Sequence, residues 1–196
     1  MPDNNHVCPW WMGYFLVNPM RRLRQNPDDI VSPYVKEGMR VVEVGPGMGY
    51  FTIPMARLVG DEGKVTAIDI QERMLSALEK RAKRAGVRQR IELKLAAPDS
   101  LRLDGTILYD FALAFGVVHE VPDQAVFFRE LSAALKPQAM MLMADPSSRF
   151  PREHYERALS IAGEAGFRKI DEPKIWKSTT ALLQKNGDRS KIVFYK

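Results

Sequence analysis

The sequence predicts an α/β protein: a mainly parallel sheet with helices on both faces. Three observations carry that reading. Strand-like and helix-like segments alternate from residue 40 onward, a glycine-dense turn follows the first of those strands, and two strand-like segments stand close together near the end. Parallel strands covered on both faces read as apolar runs joined by helical crossovers. Two strands with too little chain between them for a crossover helix pair antiparallel, as a hairpin at one edge.

The first forty residues read as a helical prelude. Pro9 opens an aromatic run, Trp10, Trp11, Tyr14 and Phe15, that suits a short helix broken near Pro19. Asn26-Pro27-Asp28-Asp29 joins a cap residue, a first-turn proline and acids at the positive end, and predicts a helix to about Tyr34 or Val35. Lys36 to Met39 is the turn into the first strand, the β-branched run Arg40 to Val44. Val65 to Ile70 is the second strand, and Gln71 to Ala85 follows with Met74, Leu75, Leu78 and Ala82 at helical spacing. Ile91 to Leu95 and Asp110 to Phe115 are the third and fourth strands. Gln124 to Leu135 is an amphipathic helix, Ala139 to Ala144 a fifth strand, and Glu153 to Ala165 a helix that Gly166 stops. Phe167 to Ile175 and Thr179 to Gln184 supply the closing pair, with the apolar tail Ile192 to Tyr195 as the alternative last strand. There is no repeat or low-complexity tract, and no second domain is expected. The division expected is a helical, aromatic segment over residues 1–36 and a sheet domain over 37–196.

Composition narrows the class. With 45% apolar and 27% charged residues, 196 residues can bury a core of ordinary size. The single cysteine, Cys8, leaves no internal disulfide and fits a reducing compartment. No stretch approaches the roughly 20 apolar residues of a membrane span, and the start lacks the sections of a signal peptide. A cytoplasmic location is expected. The net charge of +5 is compatible with an anionic partner without requiring one. Its basic clusters, Arg21, Arg22 and Arg24, then Lys80, Arg81, Lys83, Arg84, Arg88 and Arg90, read as solvated helix faces.

The informative segment is Val41-Val42-Glu43-Val44-Gly45-Pro46-Gly47-Met48-Gly49-Tyr50. Its glycines alternate, whereas a dinucleotide-binding fingerprint places its third glycine where Tyr50 stands. Glycines there allow positive φ and a close approach of backbone to ligand. Asp69 closes the second strand and can accept two hydrogen bonds from the vicinal hydroxyls of a ribose. Its plain alternative is a cap on the next helix. Glu43 reads either as a ligand contact or as a partner for groups in the turn.

These residues resemble a known family. Val42-Glu43-Val44-Gly45-Pro46-Gly47-Met48-Gly49 is similar to the first motif of class I S-adenosylmethionine (SAM)-dependent methyltransferases, and Ala67 to Leu75, with Asp69 and Ile70, to their second. Tyr109 to Val121 resembles the fourth-strand motif of the small-molecule branch, which includes quinone and sterol methyltransferases. Leu131 to Pro137 resembles the lead into the fifth strand. The resemblance spans about residues 30 to 185. It implies a single Rossmann-like domain with a seven-stranded sheet, its last strand inserted antiparallel.

It also implies SAM as cofactor and S-adenosylhomocysteine as product, held by Glu43, Gly45, Pro46, Gly47, Gly49, Asp69, Ile70, Ala97, Pro98 and Phe115. One departure stands out. The acid that contacts adenine after the third strand in such enzymes is replaced by Ala97, with Asp99 or the Ala97 backbone as substitutes.

The reaction implied is in-line displacement of the methyl group toward a small-molecule or lipid-like acceptor. The protein then supplies alignment and, for some acceptors, a base. His119, past the fourth strand, is the candidate base, and its alternative is a structural histidine bonded to backbone. Trp10, Trp11 and Tyr14 are read either as an aromatic lid over an apolar or cationic substrate or as a core cap or homodimer contact. His6, Cys8 and His119 are too scattered for a metal site, so none is expected.

Two rival functions remain. A nucleic-acid methyltransferase is disfavoured: Phe115-Gly116-Val117-Val118 stands where an Asn/Asp-Pro-Pro-aromatic motif belongs, and no Pro-Cys nucleophile is present. A SAM-binding protein without turnover is the other.

Overall fold

The computed structural model describes residues 23–103 and 105–187. Among these, seven strands form a single sheet in the order β3-β2-β1-β4-β5-β7-β6. The chain begins with α1 (Pro27–Val31), β1 (Arg40–Val44), α2 (Thr52–Leu58) and β2 (Lys64–Asp69). It continues through α3 (Glu72–Arg84), β3 (Ile91–Leu95), β4 (Tyr109–Phe115) and α4 (Gln124–Ala134). It ends with β5 (Leu135–Pro146), α5 (Arg152–Glu164), β6 (Phe167–Asp171) and β7 (Ser178–Lys185).

The first five strands are parallel, and β7 enters antiparallel between β5 and β6. The strand order reverses between β1 and β4, which pair side by side and parallel. Ligands of open α/β sheets bind at the carboxyl ends of strands flanking such a reversal.

Alternate residues of each central strand feed two cores. Val41, Phe111, Leu113 and Leu142 pack against Val31, Met55 and Leu78 of α1, α2 and α3 and against Val59 just past α2. Val42, Ala112, Ala114 and Met143 pack against Phe128, Leu131, Tyr155 and Ala158 of α4 and α5. Helices therefore cover both faces, as the apolar runs require.

Boundaries differ from the sequence reading in places. α1 stops at Val31, and residues 32–34 close it as a turn, although Asn26 caps it as expected by accepting from the Asp28 amide at 3.3 Å. β5 starts at Leu135, because its first residues pair with β4 through an irregular register near Tyr109. β6 stops at Asp171, before Pro173. The hairpin's second strand is Ser178–Lys185; the alternative Ile192 to Tyr195 lies outside the described residues. So do Trp10, Trp11 and Tyr14. No helix of the described residues is long and apolar enough to cross a membrane.

Candidate active site

The loop from β1 to α2 holds three glycines with positive φ: Gly45 at 70°, Gly47 at 52° and Gly49 at 85°. Their surroundings separate their roles. A Cβ on Gly45 would sit 3.0 Å from Val117, and one on Gly49 only 2.3 Å from Leu78 Cδ1. Those two glycines let β4's exit and α3 close onto the loop. A Cβ on Gly47 would meet nothing within 4 Å, so bare backbone faces open space there.

The loop is clamped from two sides. The Arg81 guanidinium on α3 donates to the Met48 carbonyl. The Tyr50 hydroxyl donates to the Gln25 carbonyl at 2.7 Å, and the Gln25 amide donates to the Trp176 carbonyl at 2.7 Å, before β7. Arg81 therefore leaves the solvated basic face that the sequence suggested. Its neighbours pair with acids: Lys83 and Arg88 with Glu79, Arg90 with Asp61.

Two carboxylates lie beneath the loop. Glu43 of β1 is buried and accepts from the Thr52 hydroxyl at 2.5 Å. Burial pushes its pKa up to about 8, with the Thr52 bond opposing and nearby Asp69 adding to the rise. Asp69, at the tip of β2, accepts from the Gln71 amide at 2.9 Å, which gives it the helix-entry role as one of its tasks. Burial lifts its pKa to about 6 against the Gln71, Gly47 and Ile70 amides, which favour the charged form. The influence of the Gly47 amide places Asp69 beside the glycine loop. Ile70 beside it is 46% exposed, a large apolar side chain at the rim.

At the end of β3 the Ala97 amide and carbonyl pair with Ser100, at 2.8 and 3.4 Å. The backbone of Ala97 is thus engaged in a local turn. Pro98 and Asp99 are exposed at the same rim.

Past β4, the Phe115 ring lies 4.5 Å from Phe51, below the glycine loop. Gly116 turns the chain with φ 74°, and its amide donates to the Ala144 carbonyl of β5 at 2.6 Å. His119 follows in the short 3-10 turn Val118–Glu120. Its Nδ1 lies 2.5 Å from Asp145 Oδ1, near the end of β5. Glu120 has its side chain only 16% exposed, with Oε1 3.6 Å from His119 Nε2.

The structure therefore gathers Gly45, Pro46, Gly47, Gly49, Asp69, Ile70, Ala97, Pro98, Phe115 and His119 along one edge of the sheet, with Glu43 behind them. Asp145, Thr52 and Arg81 were missed. For Asp145 the signal was present: an acid directly after the apolar run Met140 to Ala144, on the strand beside β4.

A seven-stranded sheet in this order, with a glycine loop after β1 and an acid at the tip of β2, defines a class I methyltransferase architecture. The family model described as a methyltransferase domain matches residues 35–187, and the chain belongs to that family. SAM is the cofactor of this class.

A crystal structure of a SAM-dependent methyltransferase from Aquifex aeolicus is 26% identical, with a TM-score of 0.79, covering 91% of this chain and 98% of that one. A demethylmenaquinone methyltransferase of Staphylococcus aureus is 34% identical over 117 residues, 58% of this chain and 45% of that protein. A ubiquinone biosynthesis O-methyltransferase of Methylocella silvestris is 30% identical over 123 residues, 63% of this chain and 46% of that protein. The chain thus spans about half the length of these curated relatives.

Proposed function

We propose that this protein transfers the methyl group of SAM to a small-molecule or lipid-like acceptor, with His119 as the base. The observation that carries the reading is the buried Asp69 carboxylate at the tip of β2, beside the bare backbone of Gly47. A ribose needs a fixed acceptor for its two hydroxyls, and the space at Gly47 admits the ligand against the loop. The exposed Ile70 side chain offers an apolar face for a base ring. These features fit the cofactor.

When bound, SAM supplies a methyl carbon already activated by its sulfonium, ready for in-line displacement. The chain's own residues do the rest. Asp69 would hold the ribose hydroxyls, the backbone from Gly45 to Gly49 would take the rest of the cofactor, and Phe115 would border its methionine part. Glu43, buried behind the loop and bonded to Thr52, would support the loop against the cofactor. Pro98 and Ala97 would border the adenine end, and His119 would take the acceptor's proton. Trp10, Trp11 and Tyr14 of the segment 1–36 are proposed as the acceptor's aromatic cover.

The relatives are named for menaquinone and ubiquinone chemistry, so reduced quinones and catechols head the acceptor panel. The test is release of S-adenosylhomocysteine across that panel, with Asp69→Ala as the control. Acceptor-dependent release that the variant loses supports methyl transfer. Tight binding of S-adenosylhomocysteine with no release on any acceptor would favour a SAM-binding protein without turnover.

A further inference from the structure

The His119 ring meets a carboxylate at each nitrogen, Asp145 at Nδ1 and Glu120 at Nε2, but only Nδ1 is at hydrogen-bond distance. Nδ1 faces Asp145 Oδ1 at 2.5 Å, and the His119 backbone amide also approaches that oxygen, at 3.4 Å. The His119 side chain is 10% exposed and that of Asp145 0%. An ionised carboxylate can only accept, so Nδ1 must carry the proton, and a neutral ring then keeps its lone pair on Nε2.

Nε2 is buried and has no hydrogen-bond partner among the described residues; the same holds for Asp145 Oδ2. Glu120 Oε1 stands 3.6 Å from Nε2, beyond a hydrogen bond but within ion-pair reach once the ring is protonated. A histidine kept for structure alone would be expected to engage both ring nitrogens, because a buried polar atom without a partner is costly. A ring nitrogen with no donor bonded to it, at the sheet's ligand edge, can take one that arrives from outside. Val117, two residues earlier, packs against Gly45, so the pair flanks the glycine loop.

We infer that Asp145 is a positioning residue, fixing His119 with its proton on Nδ1 and Nε2 as the base for an acceptor that bears a removable proton, a hydroxyl above all. This rests on the methyl-transfer reading. The acceptor oxygen forms its bond to the methyl carbon as the carbon–sulfur bond breaks and the sulfur keeps the pair. The hydroxyl proton passes to Nε2, and the imidazolium is balanced by the Asp145 carboxylate. Tertiary amines and thioethers carry no such proton and would leave the pair without a task.

The test is nitrogen-15 NMR of the histidine rings of the full chain at alkaline pH. The chain has three histidines, so a His6→Gln/His154→Gln background leaves His119 as the one signal. The expected result is an Nδ1–H tautomer with an acceptor-type Nε2, and loss of that bias in Asp145→Asn. An Nε2–H tautomer in the unsubstituted dyad, or an unchanged tautomer in Asp145→Asn, overturns the proposal. The first of these outcomes needs no Asp145 variant to fold.

Methyl transfer to the acceptor found on the panel gives the second readout. Asp145→Asn should lower kcat by about 100-fold or more while KM for SAM holds, as loss of a general base does. An unchanged kcat overturns the role. S-adenosylhomocysteine titration of the same samples separates the two readings: failure to bind sinks the methyltransferase function, whereas a wrong tautomer with intact binding sinks only the dyad.

Discussion

Leu78 Cδ1, on α3, occupies the position 2.3 Å from where a Cβ on Gly49 would stand. The glycine loop and the following crossover helix are therefore packed through the absence of a side chain. Gly47, two residues earlier, faces no such neighbour. The same residue type serves packing at one position and access at the other.

Gly49→Ala combines that contact with a φ of 85° and should cost about 2–3 kcal/mol of stability. Gly47→Ala has a φ of 52° and open space, so about 1 kcal/mol is expected. Binding should rank in the other sense, relative to the stability lost. On the proposed reading Gly47→Ala adds a methyl toward the cofactor, and it should weaken S-adenosylhomocysteine binding more than its small stability change implies. Urea unfolding and calorimetric titration of both variants check the pair.

Glu43 makes stability depend on pH. The unfolded chain releases this proton near its ordinary value of 4.5, whereas the folded chain holds it to about 8. Stability is therefore highest below the unfolded value and falls as pH rises through that window. Asp69 acts in the same direction between 3.8 and about 6. Glu43→Gln keeps an acceptor for Thr52 and removes the charge. It should be more stable than the parent on the alkaline side by on the order of 2–4 kcal/mol, since each tenfold change in proton affinity between the folded and unfolded chain is worth about 1.4 kcal/mol. The difference should vanish in acid. Thermal unfolding across the range reads it.

Arg81 holds the Met48 carbonyl with a charged donor that burial has partly stripped of water. Arg81→Met keeps the aliphatic stem and loses the bond, so stability should fall by about 1.5–3 kcal/mol. Binding of S-adenosylhomocysteine should weaken as well, because the loop loses its clamp. A variant with unchanged binding would show that Tyr50 and Gln25 hold the loop alone.

The fold was legible because its signals are local and repeated. Apolar runs at β1, β2 and β4 and the helical spacing of Met74, Leu75, Leu78 and Ala82 each act within one element. The glycine loop and Asp69 were legible because backbone conformation and a strand-end carboxylate leave marks in residue type. Asp145 and Arg81 were not singled out: both act on residues far away in the chain, Asp145 on His119 and Arg81 on Met48. Sequence spacing does not report such pairings. Arg81 was hidden further by its neighbours, since a charge run reads as a solvated face. The boundaries of β5 and β6 escaped for a related reason, because a strand's length is set by its partners in the sheet.

The central claim is that Asp69 holds the cofactor's ribose, and calorimetric titration with S-adenosylhomocysteine tests it most directly. The parent should bind it in preference to NAD, and Asp69→Ala should lose about 10- to 100-fold, the worth of roughly 1.5–3 kcal/mol of hydrogen bonding to a carboxylate. Affinity of the parent should also fall as pH drops through about 6, where Asp69 takes up its proton. Failure of the parent to bind, or equal binding by Asp69→Ala, would contradict the account.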